Sequence, residues 1–267
     1  MNLSKHLVVV RGAGDLGSGV IWRMRRVGFP VVALELERPL TVRRSVAYSS
    51  ALDEGSILID GIKGERVASA DEAFETASRG VVAVLVSPVV PTFPEPAPVL
   101  VDARLAKRAL DTTIDQAPFV VGLGPGFTAG QDCHAVIETM RGHRLGRVIW
   151  DGQATPNTGV PGEIGGASAD RVLRASTDGA LHWDASIGDV VSQGQLLGSI
   201  GDTPVTSKIG GTVRGLIRPG SVTAGLKIGD VDPRFDPSAI QQISDKALSI
   251  GGGVLEAVLV WLGNETQ

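Results

Sequence analysis

Cysteine and tyrosine each occur only once in the sequence, as Cys133 and Tyr48. A single thiol excludes an internal disulfide and a zinc site built from several thiolates. Because position 52 is leucine, the Tyr-x-x-x-Lys arrangement of catalytic residues is excluded as well. The four histidines lie at positions 6, 134, 143 and 182, which is not the spacing of metal ligands. We therefore expect no metal site.

Long apolar runs and an excess of positive charge are also missing. The formal net charge is -4, which disfavours a protein that binds nucleic acid mainly through phosphates. No run reaches the roughly 18 apolar residues of a membrane span, and the N-terminal apolar run is too short for a signal peptide. We expect a cytoplasmic protein with no nucleic-acid or membrane partner, and we leave self-association open.

Glycine is abundant, with 35 residues, and it clusters behind the first predicted strand. The segment VVVRGAGDLGSG contains Gly12, Gly14 and Gly17 in the G-x-G-x-x-G pattern of dinucleotide-binding proteins. Gly12 permits a tight turn, Gly14 admits a pyrophosphate, and the helix N-terminus supplies partial positive charge. Glu35 follows the next apolar run, where a ribose-binding carboxylate belongs. Asp15 belongs to this candidate cofactor site together with the three glycines and Glu35. The alternative is a purely structural turn, with Asp15 offsetting the helix dipole.

Apolar runs without polar alternation recur through the first half and alternate with helical stripes. The predicted strands cover residues 7–10, 31–34, 57–59, 81–86, 99–101 and 119–123, and the predicted helices cover 16–27, 70–77 and 103–110. Such strands are typical of a parallel sheet that is covered on both faces. The pattern predicts an α/β domain with a Rossmann-like parallel sheet.

The last third contains two similar stretches about thirty residues apart, each built from glycine turns and short strands. Gly179, Gly188, Gly194 and Gly201 match Gly211, Gly220, Gly225 and Gly229. The pattern resembles the barrel-sandwich hybrid of lipoyl and biotinyl domains, whose prosthetic lysine sits at the hairpin between the two halves. Here that hairpin covers residues 201–204 and has no lysine, and Lys208 lies beyond it. We therefore predict no covalent lipoyl or biotin group.

These observations predict four parts. They are a Rossmann-like nucleotide-binding domain over residues 1–118, a glycine-rich segment packing on it over 119–166, a barrel-sandwich-hybrid domain over 167–236, and a C-terminal helical segment over 237–267. The triple glycine at 251–253 marks either a helix start facing a ligand or a tight helix crossing, and we favour the crossing.

Polar or glycine residues follow several predicted strands and form the remaining candidate site. Parallel sheets bind ligands at the carboxyl ends of their strands, so these residues are expected to line one cleft with the glycine loop. They are Asp102, Gly124, Gly126, Arg141 and His143. In the alternative, Asp102 caps a helix and the others shape turns.

Six strings along the chain form a distinctive set: RGAGDLGSG, VLVDARLAKR, GLGPGFTAG, HAVIETMRGHRLGRVI, PNTGVPG and SDKALSIGGGVLEAVL. From about Val8 to Leu259 the chain resembles the YqeB-type selenium-dependent molybdenum hydroxylase accessory proteins, and more distantly the XdhC-like maturation factors. The resemblance implies an accessory factor that serves a molybdenum hydroxylase apoenzyme and binds a nucleotide such as NAD, or a molybdopterin-type cofactor. It assigns no catalytic residue. An NAD-dependent oxidoreductase and a nucleotide-sensing module without chemistry are the alternatives.

Overall fold

The computed structural model describes residues 2–106, 111–157 and 170–265. The chain divides into two units. The first unit consists of Met1–Pro39, Ala47–Asn157 and Ile243–Gln267, and the second of Leu40–Val46 and Thr158–Gln242. The C-terminal segment thus belongs to the same unit as the N-terminal glycine loop.

Within the described residues, nine strands form the main sheet of the first unit. They are β1 (Val8–Arg11), β2 (Val31–Glu35), β3 (Ser56–Ile59), β4 (Ile62–Val67), β5 (Val82–Val86), β6 (Val99–Asp102), β7 (Phe119–Leu123), β9 (Ala135–Ile137) and β10 (Val148–Ile149). Their order across the sheet is β10-β9-β7-β6-β1-β2-β5-β4-β3. Two short strands, β8 (Thr128–Ala129) and β11 (Gly152–Gln153), pair with each other.

This main sheet is mixed, so the predicted parallel, Rossmann-like sheet is wrong. The outer strands β3 and β10 each run antiparallel to their neighbours β4 and β9. At the β3 edge, Asp60 and Gly61 have positive φ and turn the chain directly back into β4. A two-residue turn of this kind joins antiparallel strands, whereas parallel strands need a long crossover. The apolar residues at 57–59 indicate a strand and do not indicate its direction.

Four α-helices are described: α1 (Asp15–Arg26), α2 (Ala51–Glu54), α3 (Ala70–Ser78) and α4 (Asp245–Glu265). Short 3₁₀ helices lie at Leu3–Lys5, Arg44–Val46, Tyr48–Ser50, Ile114–Gln116 and Pro237–Gln241. The stripe of α1 buries Val20 and Met24 in one core, whereas α3 buries Ala73 and Ala77 in the other. The predicted helix over 103–110 is not formed at 103–106, and 107–110 lie outside the described residues.

Helices α1 and α4 cross in backbone contact. A Cβ atom added to Gly19 would lie 2.3 Å from the carbonyl oxygen of Ala247, and one added to Gly251 would lie 2.5 Å from that of Gly19. On the far side of α4, a Cβ atom on Gly253 would lie 2.1 Å from the carbonyl oxygen of Gly146. The predicted tight crossing at the triple glycine is confirmed, because only glycine leaves room for these approaches.

Within Pro237–Asn264, an 18-residue window has a mean hydropathy of 1.4, so this helix is long and apolar enough to cross a membrane by length and composition alone. This differs from our expectation that no such window exists. Within α4, the residues Ala247, Ile250, Val254 and Val258 are fully buried in the core that also holds Val20 of α1. Burial of one helix face in a protein core accounts for this composition equally well.

The second unit contains eight strands within the residues that the structure describes. They are β12 (Val172–Arg174), β13 (Gly179–Trp183), β14 (Val190–Val191), β15 (Leu196–Ile200), β16 (Thr203–Thr206), β17 (Gly211–Leu216), β18 (Gly220–Val222) and β19 (Lys227–Asp232). They form two antiparallel sheets of four strands, in the orders β12-β19-β17-β14 and β16-β15-β13-β18. One apolar core, which includes Leu197, Val213 and Val231, holds this unit together.

The fold class predicted for this part is corrected accordingly, because no strand pairing joins the two sheets into a closed barrel among the described residues. The glycine repeat itself is reflected in the backbone. Gly179 and Gly211 have φ of 154° and 158°, and Gly194 and Gly225 have φ of 82° and 84°. Lys208 lies in the connection between β16 and β17 rather than inside a strand. The absence of lipoyl and biotin attachment stays a prediction.

Candidate functional site

The carboxyl ends of the parallel strands bring several predicted residues to one edge of the main sheet. Strands β1 and β6 are hydrogen-bonded neighbours, with Arg11 opposite Asp102 in register. The chain leaves β1 for β2 on one side and leaves β6 for β7 on the other, so the strand order reverses between β1 and β6. This reversal is where open α/β sheets bind their ligands.

The glycine loop follows β1 and leads into α1. Gly12 has φ of +98°, and a Cβ atom on Gly17 would lie 2.0 Å from the carbonyl oxygen of Gly12. Backbone packing therefore requires both glycines, whatever the loop binds. Gly14 is the N-cap of α1 and provides no side-chain cap. The N–H groups of Leu16 and Gly17 donate to no acceptor among the described residues, so this helix end is electrostatically suited to an anion.

Glu35 lies at the end of β2, beside this loop. Its Oε2 accepts a hydrogen bond of 2.8 Å from the backbone N–H of Ala13, and its Oε1 accepts one of 2.8 Å from Leu36. The carboxylate therefore fastens the glycine loop to the end of β2. Its predicted contact with a ribose stays a prediction.

Asp102 belongs to a partly buried ion-pair network, which we call the switch-point cluster: Arg11, Asp102, Arg104, Asp111 and Thr112. Asp102 is 1% exposed and accepts hydrogen bonds from the guanidinium of Arg104 and, at 2.7 Å, from the hydroxyl of Thr112. Arg11 donates to Asp111 at 2.6 Å and to Thr112 at 2.7 Å. The hydrogen bond from Arg11 holds the pKa of Asp111 well below its usual range.

Sequence reasoning did not find this cluster, although it noted Asp102. The available signal was an arginine at the end of β1 and an aspartate at the end of β6, since adjacent parallel strands place such residues side by side. Both charges are compensated within the cluster. The packing therefore gives Asp102 a role in joining the strand ends, and no helix is formed at 103–106 for it to cap. Its predicted contact with a ligand stays a prediction.

Gly124, which follows β7, packs against the end of β9. A Cβ atom on Gly124 would lie 2.5 Å from the hydroxyl oxygen of Thr139, and both Gly124 and Gly126 have positive φ. Arg141 lies two residues after Thr139, in an exposed turn that also contains His143. His143 forms no hydrogen bond or ion pair within the described part of the chain.

A second charged group surrounds the N-terminus of α4, and we call it the lysine cluster: Asp15, Glu138, Arg141, Asp245 and Lys246. Arg141 donates to both carboxylate oxygens of Asp245, at 2.9 and 3.2 Å. The Lys246 side chain is half-buried, and its ammonium makes no hydrogen bond or ion pair with any described residue. Burial lowers the pKa of Lys246, and the positive charge of Arg141 lowers it further.

The carboxylates in the lysine cluster only partly offset these effects. Asp15, Glu138 and Asp245 each act to raise the pKa of Lys246, yet the net direction is downward. Glu138 is fully buried and accepts hydrogen bonds from Thr155, at 2.6 and 2.9 Å, and from the N–H of Met140 at 2.8 Å. Burial raises the pKa of Glu138, but these hydrogen bonds outweigh burial and leave it below its ordinary value.

The structure thus brings Asp15 and Arg141 into one charged neighbourhood and assigns Asp102 to a separate network. Sequence reasoning missed Glu138 and Lys246. The signal for Lys246 was present: Ser244 caps α4 by accepting the N–H of Ala247, so a lysine occupies the first turn, where the helix dipole disfavours a cation. A group whose pKa is shifted by burial and by a neighbouring charge is a candidate for a functional site.

Cys133 and His134 are residue types that can act as a nucleophile or as metal ligands, and the structure engages both in other ways. Cys133 is fully buried, and burial raises the pKa of its thiol to about 12. His134 accepts the backbone N–H of Val120 at its Nδ1, at 3.0 Å. Among the residues described, no group of three His, Cys, Asp or Glu side chains is arranged to hold a metal ion.

Comparison with known proteins gives one strong match in sequence. The chain is 46% identical over 256 residues to a protein of Escherichia coli (strain K12) named "Uncharacterized protein YqeB". The alignment covers 95% of this chain and 47% of that protein, so the chain spans about half the length of its relative. No family model matches the chain.

Solved structures give only low similarity. An aspartoacylase family protein from Mesorhizobium loti is 10% identical with a TM-score of 0.27, covering 85% of this chain and 84% of that one. The ectoine utilization protein EutE (DoeB) from Ruegeria pomeroyi is 13% identical with a TM-score of 0.24, covering 84% and 56%. A succinylglutamate desuccinylase/aspartoacylase from Rhodobacter sphaeroides is 25% identical with a TM-score of 0.23, covering 24% and 22%. Scores this low carry no argument about the chemistry of this chain.

The comparisons give the predicted function no support. The solved structures bear the names of desuccinylases, aspartoacylases and an ectoine utilization protein, and no finding names a molybdenum hydroxylase or selenium. The accessory-factor prediction is not retained, and neither are its oxidoreductase and nucleotide-sensing alternatives. The predicted cofactors and partners stay predictions. Across the aligned region, which is about half of the relative's length, the chain is similar to YqeB.

Proposed function

We propose that the first unit binds a small phosphate-bearing molecule, with a nucleotide as the predicted example, between the N-terminus of α1 and Lys246. The observation that carries this proposal is the Lys246 ammonium, which is half-buried without a hydrogen-bonded partner among the described residues. A charge that is withdrawn from water without a partner is unfavourable. A phosphate oxygen would supply a charge-assisted hydrogen bond to this ammonium.

Three further features support an anion rather than a cation at this position. Arg141 repels Lys246 and adds positive charge. The N-terminus of α1 carries unbonded N–H groups and a positive partial charge, which Asp15 in its first turn partly offsets. The nearby carboxylate of Glu138 already accepts several hydrogen bonds, so it is a weak competitor for Lys246.

Calorimetric titration with inorganic phosphate, AMP, ATP and NAD tests the proposal directly. We expect binding of at least one phosphate compound, weakened about tenfold or more by Lys246→Met, because one charge-assisted contact is lost. Lys246→Arg should retain most of the affinity. Lys63→Met is the matched control, since Lys63 is an exposed lysine of the same unit that already pairs with Glu65.

Two outcomes would contradict the proposal. The first is the absence of measurable heat with every compound for a folded protein. The second is equal affinity for Lys246→Met, Lys63→Met and the unaltered chain. Because the contacts are ionic, raising the salt concentration from 0.05 to 0.5 M should weaken binding. The unfolding temperature of the protein should stay roughly constant over the same range of salt.

A further inference from the structure

The surface ion pair between Arg141 and Asp245 has the geometry of an exchangeable contact. Both guanidinium nitrogens Nη1 and Nη2 donate to the two carboxylate oxygens, at 2.9 and 3.2 Å. The side chains of Arg141 and Asp245 are 36% and 74% exposed. Ion pairs with this exposure contribute little to stability, so another anion can replace the carboxylate at low cost.

The same guanidinium is the second cation of the proposed site. Asp245 is the first residue of α4 and Lys246 is the next. The Lys246 ammonium lies within electrostatic range of both Arg141 and Asp245. Carboxylate and phosphate present the same pair of oxygens to a guanidinium. An anion that takes the place of Asp245 on Arg141 would therefore lie close to Lys246.

We infer that the ligand presents a terminal phosphate monoester, which replaces the Asp245 carboxylate on Arg141 and directs its remaining charge toward Lys246. This inference rests on the proposed function and specifies the ligand class. A monoester carries two negative charges near neutral pH and has three acceptor oxygens, enough to satisfy both cations. A phosphodiester has two acceptor oxygens but one negative charge, so it neutralises only one of the two cations. Asp245 is thus a specificity-determining residue that competes with the ligand.

Two comparisons by calorimetry test the inference. AMP and cyclic AMP share a base and a ribose, and only AMP has a monoester phosphate, so AMP should bind at least about tenfold more tightly. Asp245→Asn removes the competing charge and should tighten AMP binding by about threefold to tenfold. Glu256→Gln is the matched control, because Glu256 is an exposed carboxylate further along the same helix.

A double-variant cycle separates exchange at Arg141 from a general loss of negative charge. If Asp245 acts by occupying Arg141, the gain from Asp245→Asn should disappear in an Arg141→Gln background. An undiminished gain in that background would overturn the exchange, and equal affinities for AMP and cyclic AMP would overturn the monoester. If no phosphate compound binds the unaltered chain, the proposed function fails. If phosphate binds through Lys246 while Asp245→Asn has no effect, only this inference fails.

Discussion

Two neighbouring glycines of α4 should respond in opposite ways to the same substitution. In an exposed helix interior, alanine is favoured over glycine by about 1 kcal/mol. A Cβ atom on Gly252 meets no heavy atom within 4 Å, so Gly252→Ala should stabilise the first unit by up to that amount. A Cβ atom on Gly251 would lie 2.5 Å from the carbonyl oxygen of Gly19, which is backbone and cannot rotate away.

Gly251→Ala should therefore force α1 and α4 apart. Overpacking of this kind costs about 1–3 kcal/mol, which exceeds the helix-propensity gain of ~1 kcal/mol. The two variants should then differ by about 2 kcal/mol, or by roughly 4–8 °C in unfolding temperature for a unit of this size. Differential scanning calorimetry of both full-length variants measures the difference, since neither substitution changes charge.

Gly19→Ala provides the reciprocal test from α1, because its Cβ atom would lie 2.3 Å from the carbonyl oxygen of Ala247. It should destabilise the protein like Gly251→Ala. The reasoning is refuted if Gly251→Ala is as stable as Gly252→Ala, because the helices would then not meet at these glycines.

Three further predictions concern other parts of the chain. Glu138→Gln keeps the shape of a fully buried side chain but removes one of its acceptor oxygens. It should lower the free energy of unfolding, measured in urea, by about 1–3 kcal/mol. An unchanged free energy would contradict the hydrogen-bond assignment. Burial lowers the pKa of His134, so the folded state favours the neutral imidazole. The free energy of unfolding should therefore fall as the pH drops below about 6.5, the pKa of histidine in the unfolded chain. This pH-dependent loss of stability should be absent in His134→Gln. Protein expressed with lipoate and biotin should have an unmodified mass, and a mass gain on Lys208 would refute the argument from hairpin position.

The local sequence determines those elements of this protein whose contacts are made between residues close together along the chain. The strand–glycine–helix segment from β1 to α1 is one case, because Gly12 and Gly17 are required by a turn that closes within six residues. The glycine repeat is another, since Gly194 and Gly225 adopt nearly the same φ in the two halves. The triple glycine of α4 likewise predicted a close helix crossing.

Strand direction and sheet closure were decided by tertiary structure. The run at 57–59 is equally compatible with a parallel and an antiparallel neighbour, and the turn at Asp60 and Gly61 selects the antiparallel one. In the second unit, strand pairing between distant segments produces two sheets, which short-range glycine spacing does not specify.

The charged clusters depend on tertiary structure most of all. Arg11 and Asp111 are one hundred positions apart, and Arg141 and Asp245 are 104 apart, yet each pair is joined by hydrogen bonds. Such contacts have no local periodicity, because they arise when loops from separate strands and helices meet at one edge of a sheet. The sequence by itself indicated which edge would carry polar residues. Only the packing of α4 beside α1 placed Lys246 at that edge. Likewise, only the tertiary structure shows that the Asp102 carboxylate already accepts hydrogen bonds from Arg104 and Thr112.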